Sequence, residues 1–304
     1  MPANVPPLPI FIHIPKTAGN TLRYALRRLY GREAFFGTLW GPEMPPDPHL
    51  MLTADIPHLM PWYKKRIQPG QPWYPEELRL AAARFESLPA ERRARIQLIR
   101  GHMTYGLHAY LSRPTAYFTL LRHPADHVLS WFYFSTSLRP PLPELYDRVK
   151  ERVAPNPQTW ILAGPHLESD SLSTSEMLAR AKQNLRACAA VGLTERFDDS
   201  LVLFRKAFGW RWPFYTRRNT NRTRPRREAV PPEIWQRIEA DHPLDMALYA
   251  EARGLFEARV AAYGPAWGRD RLAFRALNTA WRYGQRIKRR VRRAVRTHPF
   301  EEQP

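Results

Sequence analysis

A lysine followed by small and hydroxyl-bearing residues marks the part of this chain with the clearest capacity for chemistry. Segment 15–21 reads PKTAGNT. Lys16 supplies a full charge, the small residues permit close backbone approach, and the hydroxyl and amide side chains add hydrogen-bond donors. This combination predicts binding of an anion. The candidate contacts are Lys16, Thr17, Ala18, Gly19, Asn20 and Thr21.

The elements around this segment favour an anion site. An apolar run over residues 8–14 predicts a buried strand, and apolar residues with helical spacing follow from Leu22 to Leu29. A helix that begins directly after a strand points its free N–H groups and the positive end of its dipole beyond the strand's carboxyl end. The alternative is that the polar residues only cap a helix and that Lys16 is solvated.

A second basic junction follows another apolar run. In LLRHPADHVLS, residues 120–130, Arg122 ends a predicted strand and Ser130 lies one to two turns into the following helix. If both strands belong to one parallel sheet, their carboxyl ends share the edge where open α/β sheets bind ligands. Two cationic junctions at one edge predict a ligand with two separated phosphate-like groups.

Strands alternate with helices along most of the chain. The strand–turn pattern recurs at RIQLIRGHMTYG, residues 95–106, and a strand–helix pattern recurs in residues 188–210. This alternation predicts an α/β fold with a mostly parallel central sheet and helices on both faces. We expect one domain over residues 1–265 and a basic tail over residues 266–304. A proline-rich excursion at about residues 42–75 either borders a substrate cleft or is a linker.

Three segments resemble, in the same order, sulfotransferases that use 3′-phosphoadenosine 5′-phosphosulfate. HIPKTAGNT resembles the 5′-phosphosulfate loop, and RHPADHVLSWFYF resembles the 3′-phosphate element. VGLTERFDDSLVLF resembles a further segment of the carbohydrate branch that includes heparan sulfate 2-O-sulfotransferase. The resemblance covers roughly residues 8–255. It implies a P-loop-like three-layer fold, this nucleotide as co-substrate, and no required metal.

The resemblance also implies a role for each matching residue. Lys16, with the backbone and hydroxyls of residues 17–21, would hold the 5′-phosphosulfate and stabilise the leaving oxygen. Arg122 and Ser130 would hold the 3′-phosphate. His102, in RGHMTYG, becomes the candidate base. A histidine that titrates near neutrality suits removal of a proton from an acceptor hydroxyl.

Other histidines compete with this assignment. His102 could instead cap the turn after its strand, and His108, His123 and His127 lie close to it in the sequence. The family commonly has an aspartate directly after the arginine of the 3′-phosphate element and a second arginine before its serine helix. This chain has His123 and His127 there, which bears on nucleotide affinity and its pH dependence.

A basic loop, RRNTNRTRPRR, occupies residues 217–227, where relatives often close over the nucleotide. Asn219 and Thr220 are weaker candidates for nucleotide contact. A solvated basic loop is the alternative.

The net charge of +19 in 304 residues is concentrated near the end of the chain. Residues 271–296 contain ten lysines or arginines and no acid. They predict a basic amphipathic helix that either contacts an anionic membrane or an acidic glycan, or packs on the domain. The apolar residues expected on one side are Phe274, Leu277, Trp281, Ile287, Val291 and Val295.

Composition also suggests a location and a partner. Cys188 is the single cysteine, and the sequence shows neither a leader-like segment nor an apolar run long enough to span a bilayer. We therefore expect a cytoplasmic protein, with a peripheral position at the inner membrane surface as a further option. The expected acceptor is a hydroxyl of a glycan or glycolipid, and nucleic acid is not an expected partner.

Two other functions stay open. One is a phosphotransferase-like nucleotide enzyme, which is disfavoured because Pro15 stands where a Walker A loop requires glycine. The other is a non-catalytic basic protein that binds nucleic acid or an anionic membrane.

Overall fold

The computed structural model describes residues 6–31, 33–38, 75–135, 147, 155–164, 172–217 and 227–297. Nearly all of the proline-rich excursion at 42–75, together with Asn219 and Thr220, lies outside the described residues.

Five parallel strands form the central sheet. In chain order they are β1 (Leu8–Ile12), β2 (Phe35–Thr38), β3 (Leu98–Gly101), β4 (Thr115–Leu121) and β5 (Ala190–Leu193). Their spatial order is β2-β3-β1-β4-β5, and every pairing is parallel. The strand sequences are nearly continuous apolar runs because a parallel sheet is covered on both faces. The predicted α/β fold with a parallel central sheet is confirmed.

Helices connect and cover these strands. Those of the described residues are α1 (Gly19–Tyr30), α2 (Pro75–Glu86), α3 (Ala90–Arg95), α4 (Pro124–Ser135), α5 (Pro157–Ala163), α6 (Thr174–Ala187), α7 (Phe197–Phe208), α8 (Pro232–Asp241), α9 (Pro243–Tyr263) and α10 (Ala266–Thr297). Short 3₁₀ turns occur at Leu107–Tyr110, Thr194–Arg196 and Arg227–Ala229.

Aromatic packing places α7 on the same face of the sheet as α1. Phe11 of β1 stacks on Phe118 of β4 at 5.0 Å between ring centroids, and Phe118 contacts Phe204 of α7 at 5.2 Å. Phe11 also stacks on His13, whose ring lies against Gly19 at the start of α1. Helices α5, α6 and α9 pack against one another.

The first half of α10 packs on the domain. Phe274 is fully buried and stacks on Trp212, while Trp281 stacks on Phe214 and lies under the guanidinium of Arg28. The sequence predicts six apolar residues on one side of this helix, and the side chains of five of them belong to the described part of the structure. Phe274 and Trp281 face the domain, whereas Leu277, Ile287 and Val291 are exposed.

Candidate functional site

The loop after β1 has a backbone shape suited to an anion. Lys16 and Ala18 both adopt φ of 65°, a left-handed conformation that residues other than glycine rarely take. Ala18 is the N-cap residue of α1 and provides no side-chain cap for the first N–H groups of the helix. Alternating left-handed residues before a helix start form a concavity lined by N–H groups, which is an anion-binding arrangement.

The predicted contacts in this loop differ in accessibility. The Thr17 hydroxyl is buried and donates to the Ile14 carbonyl at 2.7 Å, so its side chain holds the loop together. Thr21 is also buried, whereas Lys16, Ala18 and Asn20 are half-buried. The accessible chemistry of the loop is therefore its backbone and the side chains of Lys16 and Asn20.

Gly19 is required by space. A Cβ at this position would lie 2.0 Å from Cδ2 of His13. The His13 ring cannot yield easily, because it is buried and stacks on Phe11 on one side and on His102 on the other. A larger residue would displace either the start of α1 or the histidine pair.

We expect Gly19→Ala to lower the free energy of unfolding by about 1–3 kcal/mol, the usual penalty for overpacking a core. The matched control is Gly254→Ala within α9, where the new methyl group would meet no described atom within 4 Å beyond the neighbouring backbone of its own helix. That control should be stabilised by about 0.5–1 kcal/mol because alanine favours helix. Urea unfolding of both variants tests this, and equal stability of the two would contradict the packing described.

His102 follows the end of β3 and faces the β1 loop. Its Nδ1 lies 2.8 Å from the His13 carbonyl oxygen, and the two rings stack at 4.0 Å. A carbonyl can only accept, so Nδ1 carries the hydrogen and Nε2 is the basic nitrogen. Burial, with Arg100 nearby, lowers the pKa of His102 to about 3. The imidazole of His102 is therefore neutral at neutral pH.

The second junction is joined to the first. Arg122, which follows β4, donates from Nη1 to the Lys16 carbonyl at 3.0 Å. Its backbone is fixed by Gln158, whose side chain accepts from Arg122 N at 2.9 Å and donates to Arg122 O at 2.8 Å. Burial lowers the pKa of Arg122, and Glu195 and Tyr249 oppose that shift. The two cationic junctions thus lie at adjacent strand ends, as the sequence predicted.

Ser130 is half-buried on α4 and lies one turn beyond both Asp126 and His127. Side chains three and four residues apart share a helix face. His127 is buried and its Nε2 donates to the Pro15 carbonyl at 2.7 Å, so this face of α4 looks toward the β1 loop. Arg122 and Ser130 therefore flank the same loop from the β4 side.

The competing histidines have other surroundings. His108 contacts the Tyr117 hydroxyl at 3.1 Å from Nδ1. His123 stacks on Trp235 at 5.2 Å, and its backbone N–H donates to Glu195. His127 lies beneath the β1 loop. Among these four histidines of the described chain, only His102 stacks on His13 at the end of β1.

His127 makes stability depend on pH. Burial lowers its pKa to about 3, whereas an unfolded histidine titrates near 6.5. Below that pH the unfolded state binds a proton that the native state does not, so stability is lost as the pH falls toward 3. We expect His127→Gln to reduce the slope of unfolding free energy against pH by about 1.4 kcal/mol per unit between pH 6 and 4. Urea unfolding at a series of pH values measures this slope for both proteins. Equal slopes between pH 6 and 4 would contradict this assignment.

Sequence reasoning missed the residues that support the second junction. Gln158 and Thr159 are fully buried at the start of α5, and their N–H groups donate to the carboxylate of Asp245 at 3.2 and 2.7 Å. Asp245 belongs to α9, 86 residues from Thr159 in the chain. Only the polarity of Gln158 beside apolar Trp160 could have signalled a buried hydrogen-bonding role.

A cavity of about 450 Å³ lies beyond the end of β5, next to the second junction. Arginines and carboxylates face each other across it, and Asp199 pairs with Arg196, Arg271 and Arg275 at 2.9, 3.3 and 3.2 Å. These ion pairs tie α10 to the sheet edge. The lining residues are Thr194, Glu195, Arg196, Phe197, Asp198, Asp199, Tyr215, Arg217, Arg271 and Arg275.

Comparison with known proteins supports the broader of the two predicted resemblances. No protein-family model matches the chain. Galactose-3-O-sulfotransferase 3 of Bos taurus is 29% identical over 171 residues, which are 50% of this chain and 40% of that protein. The chain is thus its distant homologue, which supports a carbohydrate sulfotransferase family. The narrower resemblance to heparan sulfate 2-O-sulfotransferase is not confirmed.

The same comparison corrects the expected location. Galactose-3-O-sulfotransferases are Golgi-lumenal membrane enzymes, and this conflicts with the predicted cytoplasmic setting. The cysteine argument failed because one buried, unpaired cysteine, Cys188, is compatible with reducing and oxidising compartments alike. No helix in the described parts of the chain is both long enough and apolar enough to cross a bilayer.

Proposed function

We propose that this protein transfers a sulfuryl group from 3′-phosphoadenosine 5′-phosphosulfate to a hydroxyl of a glycan or glycolipid. One observation carries the proposal. Two cationic strand–helix junctions lie on neighbouring parallel strands and are joined by the hydrogen bond from Arg122 to the Lys16 carbonyl at 3.0 Å. The sulfotransferase homologue supports sulfuryl transfer to a carbohydrate in general.

The donor would span the two junctions. Lys16 and the free N–H groups within residues 17–21 would hold the 5′-phosphosulfate at the start of α1, with Asn20 as a side-chain donor. The Thr21 N–H already donates to the Ala18 carbonyl at 2.9 Å. Arg122 and Ser130 would hold the 3′-phosphate beside α4. Asn219 and Thr220 are proposed as weaker nucleotide contacts.

The transfer would proceed in line. The acceptor oxygen forms a bond to sulfur while the bond from sulfur to the bridging oxygen breaks, and the acceptor proton moves to Nε2 of His102. Lys16 would stabilise the charge that develops on the bridging oxygen of the departing 3′-phosphoadenosine 5′-phosphate. Binding of the anionic donor would raise the pKa of His102 from its low value, because a nearby negative charge favours the imidazolium.

The division of the chain is also proposed. Residues 1–265 would form the catalytic domain, and residues 266–304 a tail whose first half closes against it. The proline-rich excursion at about 42–75 would contribute to the acceptor side.

The test is a transfer assay with the full chain. Galactose-terminated glycans and glycolipids are incubated with the phosphosulfate donor or with ATP and magnesium, and mass spectrometry detects the added group. We expect sulfated products with the first donor only. Phosphorylated products would instead establish the phosphotransferase alternative. An absence of any transfer, with tight and steeply salt-dependent DNA binding, would establish the non-catalytic one.

A further inference from the structure

A second group of basic side chains lies on the other side of the β1 loop from Arg122. It consists of Arg23 and Arg27 on α1, Arg100 on β3, and the stacked pair His13 and His102; we call it the β3-side cluster. The sheet order β3-β1-β4 separates this cluster from the second junction, with the Lys16 loop between them. The described function uses only His102 from this group.

Helix and strand periodicity bring the cluster together. Gly19 faces the His13 ring, and Arg23 and Arg27 follow at four and eight residues on the same stripe of α1. Arg100 lies two residues before His102, so both side chains point to one face of the sheet. In register, Arg100 is paired with Phe11, whose ring stacks on His13. The α1 stripe and these strand residues therefore face each other.

Arg23 is buried, and two of the three guanidinium nitrogens are among its unpaired atoms in the described structure. The residue is 9% exposed, and its Nε and Nη2 atoms are buried with no hydrogen bond to any residue that the structure describes. Its guanidinium carbon lies 4.9 Å from the ring centre of Tyr24. A buried charge without a polar partner is strongly unfavourable, so such a group calls for a ligand or another explanation.

The segments that build the cluster contain no acid. Residues 1–32 and 96–125 include neither aspartate nor glutamate. The positive charges also act on one another, since burial together with Arg23 and Arg27 lowers the pKa of Arg100 to about 9. The segments that build the cluster therefore bring only positive charge next to the proposed base.

We infer that Arg23 and Arg100 bind an oxyanion carried by the acceptor, either a carboxylate or a sulfate, so that the acceptor is an acidic glycan. This inference rests on the proposed function for the position of the acceptor hydroxyl at His102. In the proposed function the donor's two anionic ends would bind on the β1 and β4 side, which leaves the β3 side to the acceptor. Arg100 and His102 are two residues apart on one strand, roughly 7 Å. The acidic group thus lies on the reacting sugar or on its neighbour.

The test measures oligosaccharide binding by calorimetry, with and without 3′-phosphoadenosine 5′-phosphate. The probes are an oligosaccharide of alternating uronic acid and hexosamine, the same compound with its carboxyls reduced to alcohols, and a sulfated neutral galactose oligosaccharide. Native protein, Arg23→Gln, Arg100→Gln and the control Arg180→Gln, an exposed arginine on α6, are compared. Circular dichroism establishes that each variant is folded.

We expect the native protein and Arg180→Gln to bind at least one acidic probe and to bind the reduced one at least tenfold more weakly. Arg23→Gln and Arg100→Gln should each weaken binding of the acidic probe by about 10- to 100-fold without changing nucleotide affinity. The carboxylated and sulfated probes identify which oxyanion is preferred. Equal binding of acidic and reduced probes, or no binding of either acidic probe, would overturn the inference.

These outcomes are separable from failure of the proposed function. Nucleotide binding without preference for acidic probes would leave the sulfotransferase proposal intact and remove the inference. Binding of an acidic probe that depends on Arg23 and Arg100, without nucleotide binding, would support the inference and contradict the sulfotransferase proposal. It would indicate a glycan-binding protein.

Discussion

Replacing His102 by glutamine is expected to lower the rate of sulfuryl transfer by about 10²–10⁴-fold, the usual contribution of a positioned general base. Glutamine can still donate to the His13 carbonyl, which the His102 Nδ1 contacts at 2.8 Å, but it cannot accept the acceptor proton. Nucleotide affinity should change little. Initial rates at saturating donor, together with calorimetric titration of 3′-phosphoadenosine 5′-phosphate, separate the two effects.

His108→Gln is the matched control for this experiment. Its imidazole contacts the Tyr117 hydroxyl rather than the β1 loop, so the variant should retain native turnover. Because the pKa of His102 is about 3 without ligand, kcat/KM for the donor, which reports the free enzyme, should stay high on the acid side of pH 6 instead of falling with a pKa near 6.5. A similar loss of rate in both variants, or an acid limb near 6.5, would contradict the assignment.

Removing the charge of Lys16 is expected to lower kcat by about 10²–10³-fold, the typical effect of losing one group that stabilises developing charge. Alanine can take the same place in the loop, since Ala18 already adopts an equal φ of 65°. The loop backbone, and the Lys16 carbonyl that Arg122 contacts, should therefore persist. The measurements are kcat in the steady state and the rate constant of transfer in a single turnover.

Two further variants show whether charge is the cause. Lys16→Arg keeps the positive charge and should recover part of the lost rate, while Lys182→Ala removes a lysine from α6, far along the chain from the loop. A kcat for Lys16→Ala within a fewfold of the native value would mean that the side chain has no role in the transfer.

The sequence allowed the fold class to be predicted because four of the five strands are conspicuous apolar runs. The run over residues 8–14 became β1, and the run ending at Leu121 became β4. Strand β2, Phe35–Thr38, was not predicted. Its place at the sheet edge comes from pairing with β3, which no local pattern reveals.

The candidate site was predictable where chemistry is local in the chain. The Lys16 loop and Arg122 were singled out as candidates because each combines a strand end, a charge and a helix start. The supporting contacts were not predictable, since Gln158 brackets Arg122 across 36 residues and His102 contacts His13 across 89. The low pKa of His102 was not predictable for the same reason, because it depends on burial that only the folded sheet creates.

Calorimetric binding of two nucleotides tests most directly whether the two junctions form one donor site. 3′-Phosphoadenosine 5′-phosphate and adenosine 5′-phosphate are titrated into the native protein, Lys16→Ala and Arg122→Gln. We predict that Lys16→Ala weakens both ligands by about tenfold or more, and that Arg122→Gln weakens only the ligand with a 3′-phosphate. Native protein that binds both ligands equally, or variants that leave both affinities unchanged, would contradict a donor site built from these two junctions.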